Sequence, residues 1–118
     1  MTKDQEYVWN TLKGIPRANE RVSIDDQHIL NCPYCNDGYL HQYAVEVFVR
    51  KCEDSNVGLK ITTVGESFSK STDVQTGNPS NRRDGIVIKF TCEGCEELPE
   101  LLIIQDRGNT QIKWKEFV

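Results

Sequence analysis

Tyr43-Ala44-Val45-Glu46-Val47-Phe48-Val49-Arg50 is the stretch whose reading decides the fold class. Tyr43, Val45, Val47 and Val49 alternate with Ala44, Glu46, Phe48 and Arg50. That period of two is the signature of a β-strand, with the odd-numbered residues as its mostly apolar face. Downstream, Ser55-Asn56 marks a turn, and Val57, Leu59 and Ile61 alternate again, so the two segments read as a hairpin. Ser67 to Asp73 suits a weak edge strand. Ile86, Ile88 and Phe90 alternate with Val87, Lys89 and Thr91. Leu101-Leu102-Ile103-Ile104 is a continuous apolar run, as in a strand buried on both faces. Arg107-Gly108-Asn109 turns the chain into a last strand with Ile112, Trp114 and Phe117.

Upstream, Val22 to Leu30 reads as an extended lead-in and residues 17–21 as a polar loop. Residues 1–15 carry Tyr7, Val8, Leu12 and Ile15 at helical spacing, closed by Gly14 and Pro16, which predicts a short helix. The expectation is a mainly β protein: an antiparallel sheet with a four-cysteine site and a short N-terminal helix, in one domain over residues 1–118.

Two motifs flank the main strands: Cys32-Pro33-Tyr34-Cys35 and Cys92-Glu93-Gly94-Cys95. Each is a C-x-x-C pair. Two intervening residues let a tight turn aim both sulfurs at one ion, and four thiolates complete a tetrahedral Zn²⁺ site. Pro33 pre-sets a turn φ in the first pair. Gly94 is expected to supply a left-handed conformation in the second. Residues 36 to 91, 56 in all, separate the pairs. Typical spacings are about 15–20 residues, so a sheet rather than one short hairpin must bring the pairs together. A four-sulfur iron site, a redox-active pair or a disulfide framework are the alternatives; neither pair opens a helical pattern, and the start, Met1-Thr2-Lys3-Asp4-Gln5-Glu6, has no apolar run of a secretory signal. Cysteine pairs without such a signal suit a reducing compartment, so a cytoplasmic protein is expected.

This arrangement resembles a zinc ribbon, in which two C-x-x-C turns clamp one zinc between β-hairpins. The resemblance carries the ligand positions onto Cys32, Cys35, Cys92 and Cys95 and implies one structural zinc ion. Asn36 and Glu96 stand where many such turns have glycine; asparagine tolerates the left-handed region and glutamate does so poorly. Residues 32–115 also resemble small bacterial, phage and plasmid proteins with paired C-x-x-C motifs, a likeness that carries no activity with it.

The chain of 118 residues has a formal charge of −4, 37% hydrophobic residues and 27% charged ones. A small core beside a metal staple is a coherent combination. A four-thiolate zinc site makes the charge more negative still, which disfavours salt-driven binding to nucleic acid. No apolar run approaches the roughly 18 residues of a membrane-spanning helix. No nucleophile elbow, Walker loop or H-E-x-x-H motif is present. Asp25-Asp26 and Glu96-Glu97 read as solvated carboxylates. His28 and His41 lack ligand spacing, and Cys52 reads as a cysteine at a strand end.

Thr76 to Gly85 is expected to form an exposed loop. Within it Asn78, Arg82 and Arg83 are the candidate partner-binding residues, because guanidinium forks suit phosphate or carboxylate. Asp84-Gly85 as plain turn residues, with an arginine on Asp84, is the competing reading. Around the second cysteine pair, Glu93, Glu96, Glu97 and Glu100 would repel phosphate and suit a basic protein surface. The functional expectation is a non-enzymatic zinc-binding adaptor or regulator that binds a macromolecule, a protein above all. The alternatives are a nucleic-acid-binding ribbon using Arg82, Arg83, Lys89, Lys113 and Lys115, or an enzyme without a recognisable motif.

Overall fold

The computed structural model describes residues 21–72 and 75–116. Six strands form one antiparallel sheet: β1 (Leu40–Arg50), β2 (Gly58–Val64), β3 (Ser67–Ser71), β4 (Gly85–Cys92), β5 (Glu100–Asp106) and β6 (Asn109–Trp114). Their order is β3-β2-β1-β4-β5-β6. Two three-stranded meanders thus lie side by side, each built from local hairpins, and the β1–β4 pairing joins them.

The expected fold class needs one correction. Among the described residues the fold is six antiparallel strands with no helix. The helix expected over residues 1–15 lies outside the described residues, and so does Phe117. The stretch from Val22 to Leu30 also departs from the extended lead-in expected of it. It doubles back, pairing Ile24 with Leu30 in an isolated antiparallel bridge. The cause is local. The Asp25 carboxylate accepts the backbone N–H groups of Gln27 (2.8 Å) and Ile29 (3.0 Å), and His28 takes a φ of 66°. A short carboxylate that bonds backbone two residues on offers the chain a turn in place of a strand.

On β1 the mostly apolar odd-numbered face is not the more deeply buried one, although Val45 and Val47 are half-buried. The strand's buried side chains are Ala44 (5% exposed) and Phe48 (0%), while Tyr43 (37%) and Val49 (40%) are exposed. Valines look like the core face in sequence, but what covers a face decides its burial. Residues 75–84 fold across the Phe48 face, with Gly77 against the Phe48 ring, and Lys60 lays its ammonium 5.1 Å from the ring centroid. On the same face the carboxylate of Glu46 bridges Lys60 on β2 (3.2 Å) and Lys89 on β4 (3.3 Å). The two ammonium groups hold the Glu46 carboxyl below its ordinary range against the opposing effect of burial. The opposite face has its own cluster at one end of the sheet. There Phe90, Leu101 and Trp114 pack with Val22, Leu30, Leu40 and Ile88, and the Phe90 and Trp114 rings meet edge to face at 5.8 Å. The Leu101–Ile104 run supplies both faces: Leu101 is buried on one and Ile104 on the other.

Candidate metal centre and the opposite end of the sheet

β1 and β4 are antiparallel, so the start of one lies beside the end of the other. Leu40 pairs with Cys92, and His41 with Thr91. Four residues separate the first cysteine pair from β1, and the second pair begins at the last residue of β4. This register closes the 56-residue gap: the sheet brings the two turns to the same end. Glu93 N–H donates to the Tyr39 carbonyl (3.1 Å), and His41 Nε2 lies 2.5 Å from Glu93 Oε2, adding two links across the junction.

All four sulfur atoms lie within 4.8 Å of one another. Cys32 Sγ is 3.8 Å from Cys95 Sγ, and Cys35 Sγ is 3.5 Å from Cys92 Sγ. A regular tetrahedron with metal–sulfur arms of about 2.3 Å has edges of about 3.8 Å. The donor set therefore fits one ion, and the four cysteines are placed to hold it. Backbone N–H groups support the sulfurs: Tyr34 N donates to Cys32 Sγ (3.4 Å) and Gly94 N to Cys92 Sγ (3.3 Å). Such bonds favour the thiolate form.

The protein shell is uneven. Cys32 is buried with Tyr34, Cys92 and Cys95 are half-buried, and Cys35 is exposed. In the metal-free protein burial pushes the Cys32 thiol well up and the Cys95 thiol to about 11. Cys92 moves the other way: burial raises it, but the Gly94 N–H and the neighbouring thiols together outweigh that effect. A metal ion must therefore expel protons from at least Cys32 and Cys95.

The two turns differ in backbone. Asn36 takes the left-handed region (φ 64°), as expected after a second cysteine, and its N–H donates to the Cys32 carbonyl (2.9 Å). Glu96 avoids that region. So does Gly94, contrary to the role expected of it. Gly94 is required for space instead: a Cβ there would overlap the Asp37 side chain, whose carboxylate also accepts Tyr39 N–H (2.9 Å). The missing side chain lets the first turn pack directly onto the second.

The candidate loop lies at the other end of the β1–β4 pair. Thr76, Gly77, Asn81, Arg82 and Asp84 are exposed, as expected from the loop's composition, but Ser80 within it (3% exposed) and Gln75 just before it (7%) are buried and anchor it. Arg50, at the last position of β1, organises it. Its guanidinium donates to the carbonyls of Ser55, Ser80 (2.7 Å) and Arg83 (2.9 Å), and its backbone N–H donates to the Asp84 carboxylate (2.9 Å). Asn78 donates its amide to Gln75 Oε1 (3.0 Å) and the Arg83 carbonyl (2.8 Å) and accepts Ser80 N–H (2.9 Å). Ser80 Oγ donates to the Gln105 carbonyl and accepts Arg83 N–H, each at 2.9 Å. Gly85 leaves the room that Asn78 and Pro79 occupy.

Of the three candidate partner-binding residues, the Asn78 side chain is engaged within the loop. The guanidinium groups of Arg82 and Arg83 are half exposed but already paired. Arg82 grips Asp54 (2.8 Å) and Glu53 (2.8 Å), and Arg83 lies 3.4 Å from Glu53. Asp84, the partner weighed from sequence, instead caps the Arg50 backbone. Arg50 belongs to no sequence motif. The available signal was its even-numbered position, which places it on the same face as Phe48.

Cys52 is exposed just beyond β1 and far in the fold from the four-sulfur cluster, which contains neither histidine. Among the described residues no helix is long and apolar enough to cross a membrane. No protein-family model matches this chain, and no curated protein and no solved structure matches it either.

Proposed function

We propose that this chain is a non-enzymatic, zinc-stapled adaptor or regulator whose output is binding to another protein. The observation that carries the reading is the convergence of four sulfur atoms within 4.8 Å of one another, two of the separations being 3.5 and 3.8 Å. Four cysteine ligands fill the coordination shell of Zn²⁺ and leave no position for a substrate or an activated water. In this reading Cys32, Cys35, Cys92 and Cys95 hold the ion, and the ion contributes folding energy, on the order of 10 kcal/mol for such sites. Zinc is favoured over iron because the role assigned to the site requires no electron transfer.

Protein is favoured over nucleic acid by charge. The formal net charge is −4, and the best cationic candidates, Arg82 and Arg83, are answered by Glu53 and Asp54. A phosphate would have to break those pairs first.

Two measurements test the reading. Elemental analysis of protein purified under reducing conditions should give about one zinc per chain, since four thiolates make one site; iron as the main metal, or none, overturns the assignment. Affinity capture on the zinc-loaded chain should then retain protein from an extract of the encoding organism after nuclease treatment. Loss of all retained material to nuclease transfers the function to nucleic acid, and Arg82→Ala with Arg83→Ala should then abolish binding.

A further inference from the structure

A groove of about 640 Å³ runs beside the metal centre, lined by Tyr34, Glu96, Glu97, Leu98, Glu100, Lys115 and Glu116. We infer that this groove is the recognition surface of the adaptor and that it takes a basic peptide segment, with lysine or arginine flanking an apolar side chain. The inference rests on the adaptor reading above and names the partner's chemistry.

Charge complementarity is the first argument. Four carboxylates and one ammonium line the groove. The ammonium of Lys115 lies 3.9 Å from Glu100, so that pair is already matched. Glu96 and Glu97 make no ion pair with any described residue. The contrast with the far end of the sheet is direct: there Arg82 and Arg83 are neutralised within the chain, whereas here Glu96 and Glu97 have no cation among the described residues. A tetrathiolate zinc centre, with a net charge of −2, deepens the negative field beside the groove.

Shape is the second argument. Leu98 is 56% exposed in the middle of this acidic run, a large apolar side chain held out toward solvent. It is held there by its neighbours. Pro99 is fully buried, its carbonyl accepts Phe90 N–H (3.0 Å), and the Glu100 carbonyl accepts Lys115 N–H (2.8 Å). A rigid rim loses little entropy on binding. An apolar spot ringed by carboxylates suits an apolar residue between cationic ones, and suits a polyamine or a divalent cation less well.

The groove is also built from both cysteine turns. Tyr34 belongs to the first, and Glu96, Glu97 and Leu98 follow the second. The metal that clamps the turns therefore assembles the binding surface, and peptide binding should require metal.

The test uses the full-length zinc-loaded protein and a fluorescein-labelled nine-residue peptide of alternating lysine and leucine. The expected result is saturable binding seen by fluorescence anisotropy, weakened at least fivefold by Glu96→Gln with Glu97→Gln, and weakened again by raising salt. That double variant should keep its zinc and its melting temperature, since both side chains lack partners in the fold. Removing zinc with a chelator should abolish binding. The proposal is overturned if the matching glutamate–leucine peptide binds as well, if the double variant binds the basic peptide unchanged, or if spermidine competes as effectively as the peptide. A retained extract protein that ignores Glu96→Gln and Glu97→Gln rejects the groove while leaving the adaptor reading intact. An extract that yields no retained protein at all rejects the adaptor reading.

Discussion

At one end of the β1–β4 pair four sulfur atoms converge on a single point; at the other, one guanidinium gathers three backbone carbonyls. Both ends solve the same problem. β1 and β4 are far apart in sequence, and their pairing joins two otherwise local meanders, so each end of the seam needs a tie. The metal end, with an ion bound, would use few, strong, directional bonds between side chains and that ion. The Arg50 end uses many modest hydrogen bonds, most of them to backbone. The metal tie therefore depends on redox state and pH, whereas the arginine tie depends on neither over the ordinary range.

The largest effect should come from breaking the metal tie. Cys92→Ser removes the ligand that sits within the β1–β4 register. It should lose the bound zinc and destabilise the fold by more than about 4 kcal/mol, the range of lost metal sites. Thermal unfolding with and without chelator checks this; an unchanged melting temperature removes the structural role of the metal.

Breaking the arginine tie should cost less and leave the metal in place. Arg50→Ala strands three carbonyl acceptors in a part-buried loop, at about 2–3 kcal/mol for charge-assisted bonds. Urea unfolding beside a zinc assay separates the two ends: loss of stability with full zinc content supports independent ties. Simultaneous zinc loss would mean that the seam acts as one cooperative unit.

Between the two ends lies Glu46, bridged to Lys60 and Lys89. Its folded pKa is depressed below the ordinary 4.5. Its contribution is therefore present above that ordinary value and is lost as pH falls through the lower folded value. Glu46→Gln should cost about 1 kcal/mol at pH 7, in the range of partly exposed ion pairs, and the difference from the parent should shrink as the pH is taken below 4. The metal tie responds to acid as well. Burial raises the Cys32 and Cys95 thiols, so falling pH returns protons to them and releases metal. The Glu46 comparison should accordingly set variant and parent side by side in excess zinc, by denaturant unfolding at a series of pH values, so that the metal's own pH response cancels between them. A difference that stays constant with pH would show that the bridge carries no net stability.

The smallest effect belongs to Cys52→Ser. The residue is exposed and outside the sulfur cluster, so zinc content should hold and stability should change by no more than about 0.5 kcal/mol. Zinc loss in this variant would redraw the ligand set.

The strands and the four-cysteine cluster were legible because each rests on local chemistry. Alternation over Tyr43–Arg50 and Ile86–Thr91 follows from the two-residue period of extended backbone. C-x-x-C spacing is a property of one tight turn, and four such thiols suit one ion wherever the fold places them. Asn36 was readable too, because its conformational tolerance is intrinsic. What the sequence could not determine depends on segments distant in the chain. Valines make the odd-numbered face of β1 the more apolar one, yet Phe48 on the other face is the fully buried residue, because residues 75–84 fold over that side and satisfy one another's polar groups there. The same packing anchored a largely exposed polar loop through Arg50 and Ser80 and paired Arg82 and Arg83 with Glu53 and Asp54. Gly94 proved necessary for the room it leaves to Asp37 rather than for its own φ. Only the tertiary structure decided these points, since burial and ion pairing depend on which surfaces meet, and the β1–β4 register chooses those surfaces.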